Sequence, residues 1–211
     1  MPVFRSGDGL APAWCEMTFF EIVEIPAGSQ HRFPRREPKE KLIVCRGHGQ
    51  VGGAGEAHSV GEGSNLDLPP DSDGFAVTAA SDPVTVVRLC GHWGDETGGS
   101  GLFAVQENAH PTNSGDPVDY PKSTNIDRHF HDCDEYWVIW EGAGVAVSEG
   151  RAYDVSAGDC VATGMGHHHD FPRVSQLVRA VFFETTLEGE KRRGHLWEHT
   201  HGPATPRLER V

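Results

Sequence analysis

Two short stretches in the C-terminal half of the chain are rich in imidazole and carboxylate side chains. The first is His129-Phe-His131-Asp-Cys-Asp-Glu135, and the second is Gly164-Met-Gly-His167-His-His169-Asp170. Neutral imidazole nitrogen binds iron, nickel, copper and zinc, and carboxylate oxygen suits manganese. The stretches therefore predict a site for one divalent transition metal ion, with Fe, Mn, Ni and Zn all open.

Extended backbone is needed to direct these side chains at one point. Residues i and i+2 of a strand share a face, so His129 and His131 would point the same way. The polar run 132–134 predicts a hairpin turn that returns Glu135 towards both histidines. A further histidine from a distant strand would complete four ligands. By alternation alone, His167 and His169 both qualify for that place.

Composition favours many short strands and limits the range of partners. The 211 residues include 26 glycines and 14 prolines, which suit strands joined by tight turns. A formal net charge of −13 argues against nucleic acid or an anionic membrane as a partner. We see no apolar run of the ~20 residues that a bilayer requires. The odd count of five cysteines, without CxxC spacing, fits reduced thiols, so a cytoplasmic location is expected.

The chain resembles itself at an offset of 95 residues. Matching glycines are informative because glycine adopts backbone conformations that other residues avoid. The apolar runs also coincide, including Thr85-Val-Val with Ala180-Val-Phe. The repeat predicts two copies of one all-β unit. The aligned pairs include Glu40 with Glu135, Gly47 with Gly142, Gly49 with Gly144, Val60 with Val155, and Gly63 with Gly158.

The second copy carries two spacings that resemble the signature motifs of the cupin superfamily. The first is His129-x-His131, three residues, Glu135, six residues and Gly142. The second is Gly158, five residues, Gly164-x-Gly166, two residues and His169. It departs from the family twice, since Gly164 stands in place of a proline and Arg173 in place of an asparagine. Neither departure replaces a metal ligand, although the glycine at 164 would loosen the turn that orients His169.

The resemblance implies a fold, a ligand set and a domain division. The fold would be all-β, with two tandem cupin-type jelly-roll β-barrels, a bicupin. The metal ligands would be His129, His131, Glu135 and His169. The expected domains are an N-terminal barrel (1–93), a linker (94–125), a metal-binding C-terminal barrel (126–186) and a polar tail (187–211).

The first copy lacks most of the ligand set. Pro34, Arg36 and Gly74 take the three histidine positions at the 95-residue offset. A longer hairpin would retain only His31 and Glu40. Because fewer than three protein ligands do not hold a metal durably, we expect this barrel to be metal-free.

The same ligand set serves several reactions in the family, so the fold does not name the activity. We expect a metal-dependent enzyme with isomerase, lyase or dehydratase chemistry on a sugar or sugar acid, through a metal-bound enediolate. The alternatives are a cupin dioxygenase and a non-catalytic small-molecule binding protein. Trp137 would either stack on the substrate or pack in the core. His167, His168 and Tyr153 are candidate proton donors or acceptors, the partner would be a small-molecule substrate, and the apolar strands allow a homodimer.

Overall fold

Antiparallel strands make up almost all of the regular structure. The computed structural model describes residues 3–7, 11–53, 57–69, 72–112 and 114–211. The strands in these ranges are β1 (Val3–Arg5), β2 (Met17–Ile25), β3 (Gln30–Pro34), β4 (Lys39–Arg46), β5 (His48–Gly52), β6 (His58–Gly61), β7 (Asn65–Asp67), β8 (Gly74–Ala79), β9 (Val84–Gly91), β10 (Ser100–Val105), β11 (Glu135–Ser148), β12 (Arg151–Ser156), β13 (Asp159–Thr163) and β14 (His169–Glu184). One short helix, α1 (Glu198–His201), lies near the C-terminus, and no helix in the described ranges is long and apolar enough to cross a membrane.

Residues Met17–His92 form one compact unit, which we call the first unit. It has two four-stranded sheets, in the orders β2-β9-β4-β7 and β3-β8-β5-β6. Side chains from both sheets share one core, in which the rings of Phe33 and Phe75 stack at 4.8 Å. Alternation explains the core, because Leu42 and Val44 of β4 both face it.

Residues Met1–Glu16 and Trp93–Val211 form the other unit, which we call the second unit. Its sheet has the order β1-β13-β11-β14-β10, and β12 pairs with β11. Trp137 and Ile139 of β11 pack with Phe171 and Ala180 of β14 in its core. Pairings among the described strands of this sheet do not close it into a barrel. The fold is thus nearly all β, as expected, but the tandem closed barrels are not shown.

The boundaries of the two units differ from those of the predicted domains. Strand β1, inside the predicted N-terminal barrel, pairs with β13 through Val3 and Val161. Strand β10, inside the predicted linker, pairs with β14 through Phe103 and Ala180. The predicted tail contributes the buried Leu196. The division at 93, 125 and 186 stays a prediction from the resemblance.

The two units repeat the same strand ladder at the offset expected from the sequence. Three pairs of strands have their counterparts 95 residues later: Leu42–Leu66 with Trp137–Val161, Gly49–Val60 with Gly144–Val155, and Gly49–Ala79 with Gly144–Val174.

The offset changes before the last strand, so the gapless alignment is wrong there. Glu40 pairs with Cys90, whereas Glu135 pairs with Glu184, and Cys90 and Glu184 are 94 residues apart. The cause is a connection that is one residue shorter in Trp93–Val211 than in Met17–His92. Ala79 precedes Thr85 by six positions, whereas their counterparts, Val174 and Arg179, are five positions apart.

The corrected register changes which residues correspond in the two ladders. Leu42 pairs with Arg88, and Trp137, its counterpart, pairs with Phe182. Directly paired residues of an antiparallel ladder point to the same face. The structure therefore places Phe182, and not Phe183, at the position that Arg88 occupies in the first unit.

Candidate metal centre

Four buried side chains meet at the ends of β11 and β14. His129 and His131 precede the hairpin, Glu135 opens β11 and His169 opens β14. The backbones of His129 and His169 exchange two hydrogen bonds, with N–O distances of 3.2 and 3.0 Å, so both side chains lie on one side of the pair. Each of the four residues is 4% exposed or less. The fold thus brings together the four residues that the motif predicted.

The atoms that converge have no hydrogen-bond partner among the described residues. Oε2 of Glu135 lies 2.6 Å from Nε2 of His169, 3.3 Å from Nε2 of His131 and 4.0 Å from Nε2 of His129. None of these four atoms makes a hydrogen bond of acceptable geometry in the described part of the chain. Buried polar atoms are rarely left without a partner, so this convergence requires an explanation.

The three imidazoles are held in one tautomer by backbone carbonyls. Nδ1 of His129 lies 2.8 Å from the carbonyl oxygen of Asp127, Nδ1 of His131 lies 3.0 Å from that of Gly194, and Nδ1 of His169 lies 3.2 Å from that of His167. A carbonyl only accepts, so each Nδ1 carries the proton and each Nε2 presents a lone pair. Such an outer hydrogen bond is the usual way in which proteins orient metal-binding histidines.

A divalent metal ion fits this donor set. The four donor atoms all lie within 4.8 Å of one another. Ligands about 2.1 Å from an ion are about 3 Å apart at neighbouring positions and about 4.2 Å at opposite ones. Three imidazole nitrogens and one carboxylate oxygen suit iron, manganese, nickel or zinc. The group could therefore bind a metal, whose identity is open.

Charge within the group shifts its pKa values in different directions. Burial and the neighbouring His169 hold the pKa of His129 well below its ordinary value. Burial opposes protonation of His131, but the Glu135 carboxylate outweighs it and raises the pKa of His131. Burial likewise favours the neutral form of Glu135, yet His131 and His169 hold the pKa of its carboxyl well below the usual range. Glu135 is therefore a buried anion that needs positive charge beside it.

The first unit meets the same need with an arginine. Its corresponding carboxylate, Glu40, is fully buried and lies 2.8 Å from Nη2 of Arg88. The same guanidinium reaches Glu21 at 2.9 Å through Nη1. In the second unit the position of Arg88 is occupied by Phe182, so the ladder offers Glu135 no guanidinium.

A histidine from the C-terminal tail covers the group, and the sequence analysis did not assign it. The ring of His195 stacks on that of His129, with centroids 3.6 Å apart and planes within 4°. Nδ1 of His195 is 3.0 Å from both carboxylate oxygens of Asp127, and Nε1 of Trp197 donates to Asp127 at 2.7 Å. Although burial acts to raise the pKa of Asp127, the hydrogen bond from His195 and the charge of His129 lower it.

Glu184 is a second carboxylate that the sequence analysis did not find. It ends β14 opposite Glu135, and its Oε1 lies 3.8 Å from Nδ1 of His131. Burial and the nearby Glu135 raise the pKa of its carboxyl. The repeat carries no signal for it, because its counterpart at the 94-residue offset is Cys90, which the sequence analysis did not assign to a site.

A cavity of about 320 Å³ opens onto the group. Phe103, Ile126, Trp137 and Phe182 form its apolar wall. Its polar lining comes from His129, Glu135, Gly194, Glu184 and His195. Trp137 therefore both packs in the core and borders the cavity, which were alternatives in the sequence analysis. Its ring centroid is 5.1 Å from that of His169.

The other predicted site residues point elsewhere. Nε2 of His167 lies 2.9 Å from the carbonyl oxygen of Arg207, and Nε2 of His168 lies 2.9 Å from Oδ2 of Asp116. Both histidines border a different cavity of about 400 Å³. Tyr153 is partly buried against the core and does not line the cavity at the four-residue group.

The glycine that replaces the family's proline has a packing reason. A Cβ atom at Gly164 would overlap the backbone and Cβ of Arg210, and a Cβ at Gly166 would overlap the carbonyl of Thr205. Gly166 also has a φ of 76°, which favours glycine. Arg210 in turn reaches Asp134 at 2.8 Å. The turn before His169 is thus fixed by the C-terminal tail, contrary to the expectation that Gly164 would loosen it.

Comparison with known proteins gives one close relative and a fold. No protein-family model matches the chain. The "Uncharacterized protein y4oW" of Sinorhizobium fredii (strain NBRC 101917 / NGR234) is 49% identical over 211 residues, which are 100% of this chain and 97% of that protein.

Solved structures share the fold at low sequence identity. A structure of oxalate decarboxylase has a TM-score of 0.58 at 11% identity, covering 89% of this chain and 78% of that one. An IolB-like protein from Salmonella typhimurium has a TM-score of 0.54 at 15% identity, covering 86% and 88%. Protein YlbA from E. coli has a TM-score of 0.50 at 15% identity, covering 79% and 76%. These neighbours are cupin-type proteins, so the fold is cupin-like.

Proposed function

The chain belongs to the family of the Sinorhizobium fredii protein y4oW, and from its cupin-like fold and its buried His/Glu group we propose that it is a metal-dependent enzyme acting on a small metabolite. One observation carries the proposal: four buried donor atoms, on His129, His131, Glu135 and His169, converge without hydrogen-bond partners. Hydrogen bonds within the described part of the chain account for none of them, and a bound cation would account for all four.

The bound ion would supply Lewis acidity for a metabolite with adjacent hydroxyl and carbonyl oxygens. We propose Fe, Mn, Ni or Zn as the ion, because imidazole and carboxylate together suit each of them. The four side chains would hold it, and the carbonyls that fix the three Nδ1 protons would keep each ring oriented.

His195 is the residue placed to move a proton. Asp127 holds the proton on Nδ1 of His195, which leaves Nε2 as the acceptor. The side chain is 44% exposed and lines the cavity, so Nε2 can exchange protons with solvent and substrate. A base beside a metal site supports isomerase, lyase or dehydratase chemistry, in which a proton is removed and returned.

A dioxygenase is the second candidate, and the aromatic wall favours it. Phe103, Trp137 and Phe182 form an apolar wall on one side of the cavity, and such a wall would shield reactive oxygen chemistry from water. A non-catalytic small-molecule binding protein is the rival from another class. It would use the same cavity without need of the Asp127–His195 pair.

A substrate screen on metal-loaded protein separates these candidates. Turnover under nitrogen supports the proton-transfer class, and oxygen uptake that depends on substrate supports the dioxygenase. His195→Gln should lower kcat while metal content stays unchanged, and His31→Gln, an exposed change in β3, should alter neither. Full turnover in the His195 variant would contradict the assigned role.

The wider organisation is also part of the proposal. The ladder that recurs 95 residues later supports two tandem cupin barrels, a bicupin, with the metal in the C-terminal one. The five cysteines are buried and form no disulfide, in keeping with the proposed cytoplasmic location. A small-molecule substrate and a homodimer remain the proposed partners.

A further inference from the structure

The cavity beside the metal group has an aromatic wall at a fixed place. The rings of Phe103 and Trp137 lie 5.5 Å apart, and those of Phe103 and Phe182 lie 6.5 Å apart. Trp137 also contacts His169 edge to face. An aromatic wall of this kind offers a flat ring a stacking surface, whereas it offers the hydroxyls of a sugar no hydrogen-bond partner.

The charged residues of the cavity disfavour an anionic ligand. Glu135 and Glu184 are its acidic lining residues, and no lysine or arginine is among the described residues that line it. The nearby Arg193 does not line the cavity, and its Nη1 donates to the carbonyl oxygens of Thr97 and Gly98. Away from the metal group, a carboxylate or phosphate on the ligand would lose its water and meet Glu184, with no lysine or arginine among the described lining residues to compensate.

The size of the cavity limits how much of a ligand it can enclose. Its volume is about 320 Å³, and a water molecule takes up about 30 Å³ in the liquid. The space therefore holds about ten water-sized groups, which is the size of one substituted six-membered ring. The ring would rest on the aromatic wall and direct its oxygen atoms at the metal group.

We propose that the cavity takes a small, uncharged, planar ring compound with two adjacent oxygen donors. This inference rests on the proposed function, because the oxygen donors would bind the ion held by His129, His131, Glu135 and His169. It is an alternative to the sugar or sugar acid expected from the sequence. Phe182 is the wall residue that specifies the planar body, and Glu184 is the residue that disfavours an anionic one.

Calorimetric titration of the zinc-loaded protein tests the proposal, since zinc does not oxidise the probes. Three probes share adjacent oxygen donors: catechol, 3,4-dihydroxybenzoate and D-gluconate. Catechol should bind at least about tenfold more tightly than 3,4-dihydroxybenzoate, because the added carboxylate meets Glu184 without a cationic partner. D-gluconate, a charged and non-planar polyol, should bind more weakly than either. Zinc content is measured before and after each titration.

Two variants assign the selectivity to residues. Phe182→Ala should weaken the binding of catechol by about tenfold, because the ring contact is lost, and should leave the zinc content unchanged. Glu184→Gln should reduce the difference in binding affinity between catechol and 3,4-dihydroxybenzoate. Leu177→Ala, an exposed site on the same strand, is the control and should change nothing.

The outcomes separate this inference from the proposed function. Zinc-loaded protein that binds no catechol, or that binds 3,4-dihydroxybenzoate or D-gluconate as tightly, overturns the substrate class and leaves the metal site standing. Protein that binds no zinc at all overturns the proposed function, and this inference with it.

Discussion

Replacing Phe182 with arginine should displace the metal ion from the second unit. In the first unit, Arg88 provides the charge that the buried Glu40 needs, at 2.8 Å. Phe182 occupies the corresponding ladder position beside Glu135. It borders the cavity and is only partly buried, so a longer side chain has space to enter. Phe182→Arg would therefore build in the second unit the ion pair that the first unit already has.

The expected loss of affinity follows from two terms. A hydrogen bond between a guanidinium and a carboxylate contributes about 1.5–3 kcal/mol, and it would compete with the ion for Glu135. A positive charge near a divalent cation adds repulsion, which at 4 Å and an effective dielectric constant of 20 is about 4 kcal/mol for each pair of unit charges before screening. A combined effect of at least about 3 kcal/mol weakens metal binding more than about a hundredfold.

The assay is zinc titration of apo-protein by competition with a chromogenic chelator, with circular dichroism to confirm folding. Phe182→Leu keeps the wall apolar and should bind zinc like the natural protein. Leu177→Arg places the same charge at an exposed site of β14 and should also leave affinity unchanged. Folded Phe182→Arg protein with undiminished zinc affinity would refute the idea that charge at this ladder position determines which unit binds metal.

Three further predictions concern other parts of the chain. Arg88→Met should lower the free energy of unfolding in urea by about 3–5 kcal/mol, because it removes the guanidinium 2.8 Å from the buried Glu40 and leaves Arg35, at 3.7 Å, as the nearest cation. Arg32→Met, in an exposed ion pair, should cost less than about 1 kcal/mol. Equal effects of the two substitutions would contradict the burial argument. His131→Ala should abolish metal content and His31→Ala should not, and metal loss in the second variant would place a ligand in the first unit. The native thiols should stay unreactive to Ellman's reagent at pH 8 until the protein unfolds, because burial raises the pKa values of Cys15, Cys45 and Cys90 to about 12. Rapid labelling of the native protein would show that the interior is open.

The local part of the candidate site could be predicted from the sequence. Alternation along extended backbone places His129 and His131 on one side, and the hairpin returns Glu135 to them. The spacing that resembles the cupin motifs selected His169 from three adjacent histidines, and the structure brings that residue to the group. The role of these side chains as ligands stays a prediction until metal is measured.

The remainder depends on contacts between distant parts of the chain. His195 reaches the group only because the tail folds back and Asp127 holds its ring. Glu184 comes opposite Glu135 through the register of β11 with β14, which the sequence pattern does not give. Gly164 departs from the family's proline because Arg210 packs against it, a close approach that spacing cannot show.

The same limit applies to the first unit. Its sequence showed that the histidines were replaced, but not how the remaining carboxylate is neutralised. Only the register of β4 with β9 shows that Arg88 lies beside Glu40. The contrast with Phe182 therefore required the fold as well as the repeat.

The central claim is that His129, His131, Glu135 and His169 hold a metal ion, and elemental analysis tests it most directly. The protein should be purified without chelators, and its metals should be quantified by mass spectrometry against protein concentration. We predict one transition metal ion per chain, which is absent from a His131→Ala variant that remains folded. Protein with negligible metal that takes up none of Fe²⁺, Mn²⁺, Ni²⁺ or Zn²⁺ on dialysis would contradict the claim.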